Sequence, residues 1–187
     1  MTTQRVTLVN KPIPQRATPA MTRHSFTLSF SLPKVLQGRD DLDERLAEAG
    51  LLDGHIGQGM PGRLAVALDR DAPNAQVAID SALSQITSAL PGVVLLEAGP
   101  DYVGLSEAAD AFGLSRQALR KHMIHDAAFP AAIHQGKPSL WHWAELLDWS
   151  QARWPYRVTT HDQALAECTR LLNLECQAKK VGRKLVA

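Results

Sequence analysis

The segment Leu105–Met123, LSEAADAFGLSRQALRKHM, carries a small residue, a glycine and a leucine at the spacing of a helix-turn-helix. Ala109 leaves room for a second helix to cross the first closely, Gly113 can take the positive φ of a tight turn, and Leu119 buries the second helix. Ser106 and Ser115 stand where the two helices would begin, each able to accept a hydrogen bond from a backbone N–H as an N-cap. The second helix then presents Arg116, Gln117, Arg120 and Lys121. These are the side-chain types that meet guanine, adenine and phosphate in a DNA groove.

Working forward, Phe129-Pro130-Ala131-Ala132-Ile133-His134 reads as a short strand and Gln135-Gly136-Lys137-Pro138 as a turn, with Ser139-Leu140-Trp141-His142-Trp143 as the returning strand. A β-hairpin in that place is a wing. From Trp143 the pattern becomes helical, with Leu146, Leu147 and Trp149 on an apolar face and Glu145 and Asp148 turned outward.

VGLSEAADAFGLSRQALRK, the Phe-Pro step into the wing, the tip QGKPS and the closing run LWHWAELLDW occur in the order of a known family. The segment resembles the excisionase-like winged helix-turn-helix regulators, including the AlpA group and, more distantly, the DNA-binding domain of MerR-type activators. It covers residues 101–152, roughly a third of the chain. The resemblance implies that the second helix enters the major groove while the wing lies on the backbone or in the minor groove. On this sequence that assigns DNA contacts to Ser115, Arg116, Gln117, Arg120 and Lys121, and to Gln135, Lys137 and Ser139 of the wing. The wing tip departs from many relatives in holding a single lysine. Relatives often pair through helices outside the winged domain, which implies a homodimer.

Before this unit, residues 24–99 read as a separate α+β domain. Ser25 to Leu32 alternates polar and apolar, and Asp41 to Ala49 is a helix that Gly50 can end. Asp53 to Gly59 and Arg63 to Asp69 form a hairpin around Met60-Pro61-Gly62. Asn74 to Leu90 is amphipathic, with Val77, Ile79, Ala82, Leu83, Ile86 and Leu90 mostly on one side, and Pro91-Gly92 stops it before a strand over Val93 to Leu96. The order βαββαβ predicts the ferredoxin-like plan, a four-stranded antiparallel sheet with helices on one face. Such a sheet offers an edge for pairing with a second copy, or a pocket or partner site that biases the reader.

The net charge of +1 conceals an uneven distribution. Residues 1–39 hold six Lys or Arg and no acid, whereas residues 40–100 hold three against ten acids. The acidic block is repelled by phosphate, so the basic arms and the second helix of the reader must supply the electrostatics. Residues 1–23, with scattered Arg5, Lys11, Arg16 and Arg23, read as a disordered basic arm. Residues 160–187 read as a helix followed by a basic tail of Lys179, Lys180, Arg183 and Lys184. Its apolar stripe, Ala164, Leu165, Cys168, Leu171, Leu172 and Leu174, fits either a dimer contact or the chain's own core. Cys168 and Cys176 lie about 12 Å apart along that helix, too far for one disulfide. No apolar run reaches the roughly 20 residues of a membrane span, and the expected location is cytoplasmic.

Other chemistries find little support. His122, His125, His134 and His142 fall in the winged region without a nearby cysteine, so no metal is expected. His55 and Arg63 beside Gly57, Gly59 and Gly62 lack the lysine and strand-helix context of a phosphate loop, and a plain hairpin turn is the simpler reading. There is no nucleophile elbow, HExxH or Cys-x-x-Cys, so neither catalysis nor a cofactor is expected. The expectation is an α+β, non-enzymatic regulator binding double-stranded DNA. It consists of the arm (1–23), a ferredoxin-like domain (24–99), a winged helix-turn-helix (101–155) and the C-terminal helix and tail (160–187). The alternatives are an architectural DNA-bending factor, or an antitoxin or adaptor holding a protein partner through the N-terminal domain.

Overall fold

The computed structural model describes residues 20–57, 59–154 and 159–182. Residues 1–19 of the expected arm, and Arg183 and Lys184 of the expected tail, lie outside the described residues. The chain is a mixed α+β protein. Among the described residues it has six α-helices, a four-stranded antiparallel sheet and a separate two-stranded sheet.

Alternation builds the larger sheet. In β1 (Thr22–Ser31) His24, Phe26, Leu28 and Phe30 are buried while Arg23 and Ser25 face outward; β3 (Arg63–Ala72) buries Leu64, Val66, Leu68, Arg70 and Ala72. The register pairs Phe26 with Leu68, Leu28 with Val66 and Phe30 with Leu64, so apolar side chains of neighbouring strands meet on one face. With β2 (Gly54–Gly57) and β4 (Val94–Gly99) the order is β2-β3-β1-β4, every pair antiparallel. The strand β1 starts at Thr22, inside the segment expected as disordered arm, because Thr22 and Arg23 pair with Ala72 and Asp71.

The helices α1 (Leu42–Glu48) and α2 (Ala75–Ala89) contribute to the same core. Gly50, at φ +81°, closes α1: its N–H reaches Ala47 O and the Leu51 N–H reaches Leu46 O. Asn74 caps α2 by accepting from the Val77 N–H at 2.9 Å. Val77, expected on the apolar face, is exposed instead, and the smaller Ala78 takes the buried position.

The second core forms where β5 (Tyr102–Gly104), α3 (Leu105–Ala111), α4 (Arg116–His125), β6 (Leu140–His142) and α5 (Trp143–Gln151) meet. Two local expectations are corrected here. The cap of α3 is at Gly104, not Ser106, with the Glu107 carboxylate accepting from the Gly104 N–H at 3.4 Å. Residues 129–134 form no strand beyond one bridge between His134 and Leu140, and β6 pairs with β5. Pro130 has no N–H to give a ladder, its carbonyl accepts from the Trp141 indole at 3.1 Å, and Phe129 packs against Trp149 with ring centres 4.8 Å apart. The helix α5 opens at Trp143, where the helical pattern was expected to begin.

The last helix, α6 (Thr160–Lys180), starts with a reciprocal cap between Thr159 and Asp162. It buries Leu165, Ala166, Thr169, Asn173 and Cys176. The expected stripe was therefore rotated: Ala164 and Leu171 are exposed, and two polar residues occupy the covered face. Leu165 joins the first core and Ala166 the second, so α6 spans both, packing on β4, α2 and α5.

Candidate nucleic-acid interface

A short turn sets the angle between α3 and α4. At the end of α3 the Leu114 N–H reaches Ala109 O at 2.8 Å and the Gly113 N–H reaches Asp110 O at 2.9 Å, with Gly113 at φ +63°. This closure reverses the chain in four residues. Ala109 and Leu119, both fully buried, are packed in the core that α3 and α4 share. Ser115 then caps α4, its hydroxyl oxygen accepting from the Ala118 N–H at 3.1 Å.

Burial of Leu119 turns the opposite side of α4 to solvent. Arg116, Gln117, Arg120 and Lys121 are all exposed. Among the described residues none of these cations is ion-paired, whereas Arg39, Arg45, Arg70, Arg153 and Arg170 are each tied to a carboxylate. The α4 cations are thus available to an external anion.

A groove of about 440 Å³ runs between α4 and the loop entering β6, with Arg116, Arg120 and Ser139 on its walls and Leu105, Met123 and Trp141 among its apolar contacts. Tertiary structure thereby places Ser139 on one groove with the two arginines. Gln117 and Lys121 do not line this groove. Gln135 and Lys137 are exposed in the bend before Ser139, whose hydroxyl donates to Gly136 O at 3.1 Å. All eight sequence-predicted residues lie on the α4 helix, its cap or this bend.

The far end of α4 is anchored by Asp126, its C-cap. Its carboxylate accepts from the Trp149 indole at 2.9 Å, from the Ala128 N–H at 2.9 Å and from the Arg153 guanidinium, which also stacks over Trp149. Together these donors, the indole foremost, hold the Asp126 carboxyl below the usual carboxylate range. The tryptophans serve this core: Trp149 and Trp154 pack edgewise on His122, and Phe112 stacks on Trp143.

The four histidines of the region do not converge. His122 is held among tryptophans, His125 and His134 are exposed, and His142 is buried. Among the described residues no group of three or more His, Cys, Asp or Glu is placed to hold a metal ion. Nor do His55 and Arg63 meet: His55 lines a cavity of about 470 Å³ with Asp69 and Glu97, and Arg63 lines another of about 590 Å³ with Gly57 and Gly59.

Sequence reasoning missed a polar joint between the two cores. Asn173 of α6 accepts from the Ala98 N–H at 2.7 Å and donates to Ala98 O at 2.8 Å, occupying backbone groups on the outer edge of β4 as another strand would. The same amide donates to Asp101 at 2.7 Å, and the other Asp101 oxygen lies 2.7 Å from His142 Nδ1. The Asp101 carbonyl takes the Trp143 N–H at 2.6 Å, and the Thr169 hydroxyl donates to Pro100 O at 2.6 Å. Helix α6 thus covers the β4 edge at Ala98 and removes it as a pairing site there. The available signal was Thr169 and Asn173 four residues apart inside a helix. Among the described residues no helix is long and apolar enough to cross a membrane. Comparison of the chain with protein-family models, with curated proteins and with solved structures finds no match.

Proposed function

We propose that the protein is a sequence-specific regulator that binds double-stranded DNA through a winged helix-turn-helix, with a ferredoxin-like N-terminal domain governing assembly or response. The observation that carries this reading is the exposed face of α4, where a glutamine stands with three cations that have no ion-pair partner among the described residues, beside the bend 135–139. The resemblance of residues 101–152 to excisionase-like regulators supports it, as does the strand order β2-β3-β1-β4 for the N-terminal domain. Arg116, Gln117 and Arg120 meet base edges in the major groove; Lys121 and Lys137 hold phosphates, and Ser115, Gln135 and Ser139 add backbone contacts. A homodimer would place two readers on half-sites about 34 Å apart or a multiple of it.

The test is selection of bound duplexes from a random library at near-physiological salt, with the wild type and the Arg116→Ala/Arg120→Ala double variant run side by side. The expected result is enrichment of one motif by the wild type alone. Failure of the wild type to enrich any sequence would refute the reading.

A further inference from the structure

Ile124 lies on the exposed face of α4 and has no role in the contacts assigned above. It is 58% exposed, at the next-to-last position of the helix. Single exposed aliphatic residues are ordinary on protein surfaces, so its position is what singles it out. At 3.6 residues per turn Ile124 falls about 20° around the helix from Gln117 and about 10 Å further along it. Arg120 flanks that ridge on one side and Lys121 on the other. Positions 117, 120, 121 and 124 form an i, i+3, i+4, i+7 stripe opposite the fully buried Leu119. A helix lying in a major groove presents this kind of stripe to base edges. An isoleucine at its C-terminal end offers neither donor nor acceptor, and the apolar group a major groove displays is the C5-methyl of thymine.

We infer that Ile124 is a specificity-determining residue that packs on a thymine C5-methyl, about three base pairs from the pair met by Gln117. The assignment rests on α4 being a major-groove reader. It adds a thymine to the recognised site for which no hydrogen bond is responsible.

The enriched duplex from the selection above is remade with each thymine replaced singly by deoxyuridine, which removes only the methyl, and is titrated with wild type and with Ile124→Ala. The substitution sits on an exposed position, so the fold is retained. Expected is one thymine whose replacement weakens wild-type binding about fourfold, the size of one buried methyl, while Ile124→Ala binds both duplexes equally. Indifference of the wild type to every replacement overturns the assignment but leaves DNA reading in place. So does equal sensitivity of Ile124→Ala. A wild type that enriches no duplex overturns the reader, and the role of Ile124 with it.

Discussion

Arg120 and Lys121 are neighbours in sequence but sit about 100° apart around α4; Arg120 lines the groove shared with Ser139 and Lys121 does not. That separation predicts different defects. Arg120→Ala should cost about 1–3 kcal/mol and relax preference at one base pair if it grips guanine, whereas Lys121→Ala should weaken all sequences alike and flatten the salt slope by about one. Titrations of specific and random duplexes across salt concentrations distinguish them, and equal losses on both duplexes for both variants would sink the assignment. Asp126 makes a prediction about acid stability. Its carboxyl titrates below the ordinary carboxylate range in the folded protein, chiefly through the Trp149 indole N–H, then the Ala128 N–H and Arg153. A group depressed in this way contributes stability that is present above the unfolded value near pH 4 and lost as pH falls through the folded one. Asp126→Asn should therefore flatten the acid limb of a melting-temperature profile between pH 5 and pH 3, roughly the range spanning that unfolded value. A limb as steep as that of the wild type would contradict it.

At the scale of the element, α3 and α4 could be read from sequence because what defines them is local. A cap hydroxyl, a positive-φ glycine and a leucine one turn in act within a few residues, and Ser115, Gly113 and Leu119 do what their positions imply. Being only ten residues long, α4 relies on these terminal contacts and on Leu119 more than on propensity. Ser115→Ala should cost about 1 kcal/mol and Gly113→Ala about 1–2 kcal/mol, read as loss of global stability by urea denaturation. If Gly113→Ala is neutral, the turn does not hold the left-handed conformation. The segment expected as a wing was less legible. Apolar residues at 129–134 satisfied a strand pattern, but Phe129 was taken up by the aromatic core and Pro130 cannot donate to a ladder, so β6 found β5 instead. Position 106 likewise lost its capping role because β5 runs directly into α3 and leaves Gly104 at the junction.

Across the whole molecule, α6 joins the two cores through buried polar contacts. Asn173 and Thr169 are nearly or fully buried, and the Asp101 side chain has no exposed surface. Such groups are costly to leave unpaired, so the joint holds α6, the β4 edge and the start of α5 in one arrangement. Asn173→Leu strands the Ala98 N–H and carbonyl and one Asp101 oxygen, and should destabilise the protein by at least about 2 kcal/mol. Calorimetry should show one transition for the wild type and two for the variant, one for each core. A variant that melts as one unit at the wild-type temperature would show that the joint does not couple them. The alternating strands, the cap of α4, the glycine turns and the cationic face of α4 were determined by the sequence itself, since each depends on backbone sterics, a local hydrogen bond or a period repeated along the chain. Tertiary structure alone decided that α6 turns a polar stripe inward, that β6 pairs with β5, and that Ser139 shares a groove with Arg116 and Arg120. Those outcomes depend on which buried backbone groups lack partners once the chain has collapsed, and residues about 70 apart, such as Asp101 and Asn173, carry no mark in sequence of the pairing that satisfies them.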